Sequence, residues 1–296
     1  MSVDAVPVES SGAVAAERTG PSPRGELVRE IVRSKTFIVG SIIVGFWIIC
    51  AIFGHAIAPH DPTAENLEAI NQAPSGAHLF GTDQLGRDML SRVITGVRDI
   101  IIIAPASVII ATVLGTAFGL VMGYFRGIVD ESVSRVLEAF LALPLIVISV
   151  TAITALGRSN LVIIIVIAIV FTPLIARTVR TSVLLERELD YVAAARLRGE
   201  KAPYIMFVEI LPNVTAPIVV EFTVRLGYAV FAIATLSFLG FGVQPPSSDW
   251  GLDISSNYPV VPAGYWWEVL FDAVALASLV IGVNLIADAV EGAMDQ

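Results

Sequence analysis

The sequence predicts an all-α, polytopic membrane protein with six transmembrane helices and both termini in the cytoplasm. Three observations carry that expectation: long apolar runs, too little charge for a soluble surface, and a lopsided placement of arginine and lysine. The 296-residue chain is 55% hydrophobic but only 15% charged, whereas a soluble domain is about 25% charged. A bilayer core of about 30 Å needs about 20 apolar residues at 1.5 Å rise each. Six stretches meet or approach that length: 36–58, 100–124, 136–156, 161–176, 214–239 and 270–290. With the N-terminus inside, thirteen of the 18 Lys and Arg residues fall on the cytoplasmic side, and only Arg87, Arg92, Arg98 and Arg158 fall outside. Short cytoplasmic loops carry such an excess, so this orientation is the expected one.

Residues 1–23, rich in Ser, Ala, Pro and Gly, read as a disordered cytoplasmic tail rather than a secretory signal, because the first apolar run starts too late and is too long. Residues 24–35 place Leu27 with Ile31 and Val28 with Val32 on one helical face. Glu26/Arg29 and Glu30/Arg33 sit on the other, a pattern that fits a helix lying on the membrane surface. A frayed extension of the first span is the alternative. The first span holds Cys50, the only cysteine, so no intramolecular disulfide forms.

The loop at 59–98 is longer than a bilayer turn requires and contains GTDQLGRD, with Asp83/Arg87 and Asp88/Arg92 at i,i+4 spacing. Its Gly and Pro content suits fixed turns, and long loops in compact proteins often carry function. Either a packed cap over the spans or a docking surface for an extracytoplasmic partner fits. His55, His60 and His78 fall around the start of this loop without ligand spacing, and no metal site is expected from them. In the second span Gly115, Gly119 and Gly123 recur every four residues, which lets another helix approach closely. The fourth span is short but extends through Arg177.

After it comes a charged interruption, DYVAAARLRGEKAPYIMFVEILPN, within a segment spanning 181–212. Residues 181–198 have few helix breakers, and Gly199 fits the left-handed position just past a helix C-terminus. Pro203 fits the first turn of a second helix, on which Tyr204, Phe207 and Leu211 share a face, and Pro212 ends it. This is a cytoplasmic helix–turn–helix, too polar to insert and too apolar for a free loop, suited to a groove on another protein. The fifth span carries Glu221 and Arg225 in the favourable i,i+4 order, an intramembrane ion pair with either a structural or a pathway role. A lone unpaired acid in mid-membrane would point to proton coupling, and none is evident in the other five spans. The loop at 241–265 contains FGVQPPSSDWG, and Tyr258, Tyr265, Trp266 and Trp267 mark an interfacial belt before the last span.

Several functions are excluded. The net charge of −9 argues against nucleic-acid binding. The only lysines, Lys35 and Lys201, do not follow the Gly-x4-Gly pattern of a phosphate-cradling loop. No catalytic constellation stands out.

The interruption resembles the EAA loop of permease subunits of bacterial ATP-binding-cassette importers, through Ala193-Ala194-Ala195, Gly199 and Ile210-Leu211-Pro212. Ala193 stands where that pattern has glutamate. GTDQLGRD and LSFLGFGVQPPSSDWG are similar to the dipeptide/oligopeptide/nickel branch, specifically its second, C-type permease. Ile233 stands where such proteins often carry an acid. The similarity runs from about residue 30 onward. It implies a non-enzymatic subunit forming half of a translocation pore for di- or oligopeptides or similar solutes. It also implies partners: a B-type permease subunit, two ATPase subunits or a fused one carrying ATP and Mg, and an extracytoplasmic solute-binding protein. Asp190, Ala193, Ala194, Ala195, Gly199, Tyr204, Ile210, Leu211 and Pro212 are then expected to couple to the ATPase. Asp83, Arg87, Asp88, Gln244, Asp249 and Trp250 are expected at the binding-protein docking face. No cofactor is expected on this chain itself. A secondary transporter or channel subunit is the competing class, and it calls for inverted repeats, broken mid-membrane helices or unpaired acids.

Overall fold

The computed structural model describes residues 29–294. Among these residues the fold is entirely helical, with no strand beyond an isolated bridge between Thr82 and Asp88. The expected tail (1–23) and the first part of the expected surface helix (24–28) lie outside the described residues, and 29–33 are helical. The long helices are α1 (Lys35–Ile57), α2 (Met89–Phe125), α5 (Asn160–Glu186), α7 (Thr215–Phe238) and α9 (Trp267–Met294), each long and apolar enough to cross a membrane. Between them lie α3 (Gly127–Leu141), α4 (Leu145–Leu156), α6 (Asp190–Leu197) and α8 (Trp250–Asn257).

The expected third span is broken. Helices α3 and α4 meet at 87°, and they supply a sixth span only if counted together. Pro144 explains the break: its ring disfavours helical geometry at Leu143, and it offers no N–H to continue the ladder. The second span begins at residue 89 rather than 100, because the Asp88 side chain caps the helix by accepting from the Ser91 N–H at 2.8 Å. Its 37 residues reach about 55 Å, well beyond a bilayer core. The fourth span likewise runs through Pro173 to Glu186.

Helix α2 packs most extensively on α5, along the glycine seam. A methyl group added at Gly115, Gly119 or Gly123 would come within 2.7 Å of Ile175, 2.6 Å of Val179 or 2.6 Å of Val183. Backbone therefore meets side chain where no Cβ fits, which is the close approach that the four-residue spacing announced. Gly40 on α1 approaches the Gly282 carbonyl on α9 in the same manner, and Trp47 Nε1 donates to Ser278 Oγ at 2.8 Å beside it.

The chain crosses from end to end so that the 58–88 and 239–266 loops share one end of the bundle. At that end Gln84 Nε2 donates to the Ser256 carbonyl at 3.0 Å and Ser247 Oγ to Asp99 at 2.7 Å. The opposite end gathers residues 29–34, the 187–214 connector and the end of α9. We refer to these as the loop end and the connector end.

Candidate functional site

At the connector end the chain builds a small, tied hairpin. Helix α5 stops at Glu186 instead of running on through 198, and α6 starts afresh at Asp190, whose carboxylate suits the first turn. Arg187 bridges the gap by donating to the Gly123 and Tyr124 carbonyls at the end of α2. The Tyr124 ring also lies under the Arg196 and Arg187 guanidinium groups, at 5.5 and 6.0 Å. Tyr191 donates to Glu186 at 2.7 Å. Partial burial, then that carboxylate, push the phenol up to about 12. Asn213 donates to the Tyr191 hydroxyl and to the Glu209 carbonyl, and Arg198 donates to Glu209 at 2.7 Å.

Gly199 ends α6 as expected, with φ +80°. Its N–H donates to the Arg196 carbonyl and the Glu200 N–H to that of Ala195, the two bonds of a Schellman motif. The second helical piece starts at Ala202 but changes at Ile205–Ile210 to a π-helix, with the Leu211 N–H donating to the Met206 carbonyl. The wider turn sets Ile205, Met206 and Ile210 inward. The face expected to hold Tyr204, Phe207 and Leu211 becomes an outward one, with Tyr204 and Phe207 exposed and Leu211 half-buried. Asp190, Ala193, Ala194 and Pro212 are exposed, while Ala195 is buried. Leu197, at the end of α6, is 90% exposed, and Val208 is exposed as well.

The loop end is the reverse. Asp83 accepts from the N–H groups of Leu85 and Arg87 at 2.9 Å each, and from Arg87 Nε at 2.7 Å. Gly86 sits at φ +71° where a side chain would collide with the Asn66 carbonyl. Asp88 does not pair with Arg92, despite the spacing. Arg92 turns instead to Asp253, 161 residues away, with Nε at 2.8 Å from Oδ2 and Nη2 on Oδ1. It also donates to the Pro62 and Ser247 carbonyls, so one guanidinium joins four parts of the chain. Asp249 caps α8 by accepting from Leu252, and Trp250 donates to the Val93 carbonyl at 2.9 Å.

The residues expected at the docking face lie mostly inside the loop end. Asp83, Asp88, Asp249 and Trp250 are buried, and Arg87 and Gln244 are half-buried, so these residues hold the loops together from beneath rather than form their outer face. Trp267 is buried too, donating to the Thr82 carbonyl rather than anchoring at an interface as Trp266 can. Unpaired acids do occur outside the fifth span, at the loop end of α9 rather than in mid-membrane. Asp272 and Glu268 on α9 are fully buried, and none of their carboxyl oxygens has a hydrogen-bond partner. Asp272 lies within the stretch expected as the sixth span. Asp272 is marked locally, as an acid in an apolar run with no basic residue three or four positions away, whereas Glu268 precedes that run.

In the fifth span the expected pair forms: Arg225 Nε lies 2.8 Å from Glu221, whose other oxygen accepts from Thr178 on α5 at 2.7 Å. Arg225 also borders an apolar cavity of about 300 Å³ lined by Leu145, Phe171, Tyr228 and Phe231.

Residues 115–296 match the family described as binding-protein-dependent transport system inner membrane component, and residues 22–74 match the N-terminal transmembrane domain of oligopeptide transport permease C. The chain belongs to this permease family. It is 35% identical over 277 residues to the dipeptide transport system permease protein DppC of Alkalihalophilus pseudofirmus, covering 94% of this chain and 91% of the relative. The di/tripeptide transport system permease protein DppC of Pseudomonas aeruginosa is 34% identical, with 93% and 92% covered. The glutathione transport system permease protein GsiD of Pectobacterium atrosepticum is 31% identical, with 93% and 91% covered. The protein is thus a permease of the C type, a non-catalytic, multi-pass membrane subunit of an ATP-binding-cassette importer that works with other components.

Proposed function

We propose that this permease forms half of the translocation pore of an importer for small peptides, paired with a second permease subunit and driven by ATPase subunits docked at the connector end. The peptide assignment rests on the relatives' names, which specify dipeptides, di/tripeptides and glutathione. The observation that carries the coupling reading is the 190–212 hairpin. It holds Leu197, Tyr204, Phe207 and Val208 out of the fold, on a scaffold cross-tied by Arg198–Glu209 and Tyr191–Glu186. Exposed apolar side chains on a polar, rigid support suit insertion into a partner's groove. The bias of cationic residues puts this end in the cytoplasm, and the loop end then faces the binding protein. With Ala193 at the glutamate position, the contact depends on shape and on the Gly199 turn rather than on that charge.

Gly199→Pro tests the coupling, because proline cannot adopt φ +80°. In proteoliposomes holding the whole transporter, we expect peptide uptake to fall at least about tenfold, equivalent to about 1.4 kcal/mol of coupling, while the complex still hydrolyses ATP. Undiminished uptake would refute the coupling role. Orientation is checked separately with single-cysteine variants at Leu197 and Leu79 and a membrane-impermeant maleimide in intact cells. Only the Leu79 position should label, and the reverse pattern overturns the orientation.

A further inference from the structure

The loop after α1 folds back over the start of α2 and brings together side chains that the sequence holds apart. His78 Nδ1 lies 2.8 Å and His60 Nδ1 3.6 Å from the same oxygen of Asp88, Oδ1. The two imidazole rings are 4.9 Å apart and tilted by 38°. One nitrogen of each ring and the carboxylate oxygen all lie within 4.8 Å of one another.

The three groups are held from behind. The other Asp88 oxygen is occupied by the N–H and hydroxyl of Ser91, at 2.8 and 2.6 Å, which leaves Oδ1 to the imidazoles. The same Ser91 hydroxyl accepts the His60 N–H at 3.0 Å. His78 is fixed by a turn in which its N–H donates to Ser75 Oγ and its carbonyl accepts from Ser75 and Gly81. Such supporting bonds orient ligands around metal ions. Burial raises the Asp88 carboxyl, but the bonds from Ser91 and His78 outweigh it and hold the group below the usual carboxylate range.

His78 hydrogen-bonds Asp88 at 2.8 Å, whereas 3.6 Å is too long for His60 to donate to it, so hydrogen bonding does not account for the placing of His60. The two imidazole–carboxylate distances, 2.8 and 3.6 Å, bracket the ligand separation around a tetrahedral ion with bonds of about 2.0–2.2 Å, which is about 3.3 Å, and no separation among the three exceeds 4.8 Å. Two imidazoles and one carboxylate suit zinc and its neighbours, whereas calcium and magnesium prefer all-oxygen sites. The Asp88 side chain is 2% exposed and that of His60 46%, so the site opens on the His60 side, where a water can take the fourth position.

We propose that His60, His78 and Asp88 bind a zinc-class divalent cation, which clamps the segment after α1 and the 75–81 turn onto the N-terminus of α2. The site is independent of the ATPase-facing hairpin and of the transported solute.

The test uses the full chain, purified in detergent after treatment with a chelator and titrated with Co²⁺, whose visible bands report tetrahedral coordination, and then with Zn²⁺ in competition. A single Co²⁺ per chain, displaced by Zn²⁺, is the expected result. His60→Ala, which alters a half-exposed side chain, should weaken binding more than about tenfold, and His55→Ala should leave it unchanged. Absence of Co²⁺ binding overturns the proposal, as it would if the two imidazoles served only to take up protons. Equal affinity in His60→Ala overturns it too, as does loss of binding in His55→Ala.

Discussion

At the loop end, Arg92 is 1% exposed and spends its donors on Asp253 and two distant carbonyls. At the connector end, Arg198 is 53% exposed and meets Glu209 across a short turn. The two ion pairs look alike in a contact map but differ in surroundings. Water screens one pair, whereas the other has replaced its hydration shell with protein. Apolar groups do not divide the ends in this way: Trp250 is buried at the loop end, but Leu67 and Leu79 are exposed there, as Leu197 is at the connector end. The contrast between the ends lies in their charges, buried and tied across the loops at one and exposed to water at the other.

The comparison breaks most readily at Arg92. In Arg92→Met the buried Asp253 carboxylate loses its counter-charge, at a cost of about 3–5 kcal/mol. The variant should accumulate poorly, or unfold well below the parent in a detergent thermal melt. Replacing both partners, in Arg92→Met with Asp253→Leu, should recover much of the loss. A melt unchanged in the single variant would mean that the loop end does not depend on this pair.

A smaller effect is expected at Asp249. Complete burial, only partly offset by the Leu252 N–H, pushes its carboxyl up to about 7 from the usual 3.8. The folded state therefore favours the protonated form. That contribution is fully present below about pH 4 and is lost as pH rises through about 7. Unfolding temperature should fall between pH 5 and pH 8, and less steeply in Asp249→Asn, which can still cap α8. Some slope should persist, since burial raises Asp253 as well, despite Arg92. Identical slopes in parent and variant would show that Asp249 ionises without penalty.

At the connector end the effects on stability should be slight. Arg198→Ala should cost less than about 1 kcal/mol, the range of exposed pairs. Leu197→Asp should shift stability by no more than about 0.5 kcal/mol yet weaken co-purification with the ATPase subunits. Strong destabilisation by either would erase the contrast between the ends.

What could be read in the sequence was what depends on neighbours along the chain. The apolar lengths located the spans, the Gly115–Gly119–Gly123 spacing marked the helix seam, and Gly199 announced a left-handed turn that the structure contains. Pro144 was an equally local signal for the break between α3 and α4, but the apolar run across it hid the interruption. The start of α2 was missed because Arg92, Thr95 and Asp99 are too polar for a membrane span, and hydropathy registers only the part of a helix that lies in lipid. Arg92–Asp253 and the meeting of His60 with His78 and Asp88 arise only when distant loops fold over the bundle, so no spacing rule reaches them.

Helix α2 touches both ends. It starts under Asp88 and Arg92, and it finishes where Arg187 grips its last carbonyls. Its 37 residues span about 55 Å, with Pro105 interrupting the hydrogen-bond ladder midway and the glycine seam packed on α5 beyond it. The close-packed seam ties the connector half of the helix to α5, and Pro105 separates that half from the part that carries Arg92. A displacement of the hairpin, on the coupling proposed above, has in this helix a single element that reaches the loops on the far side.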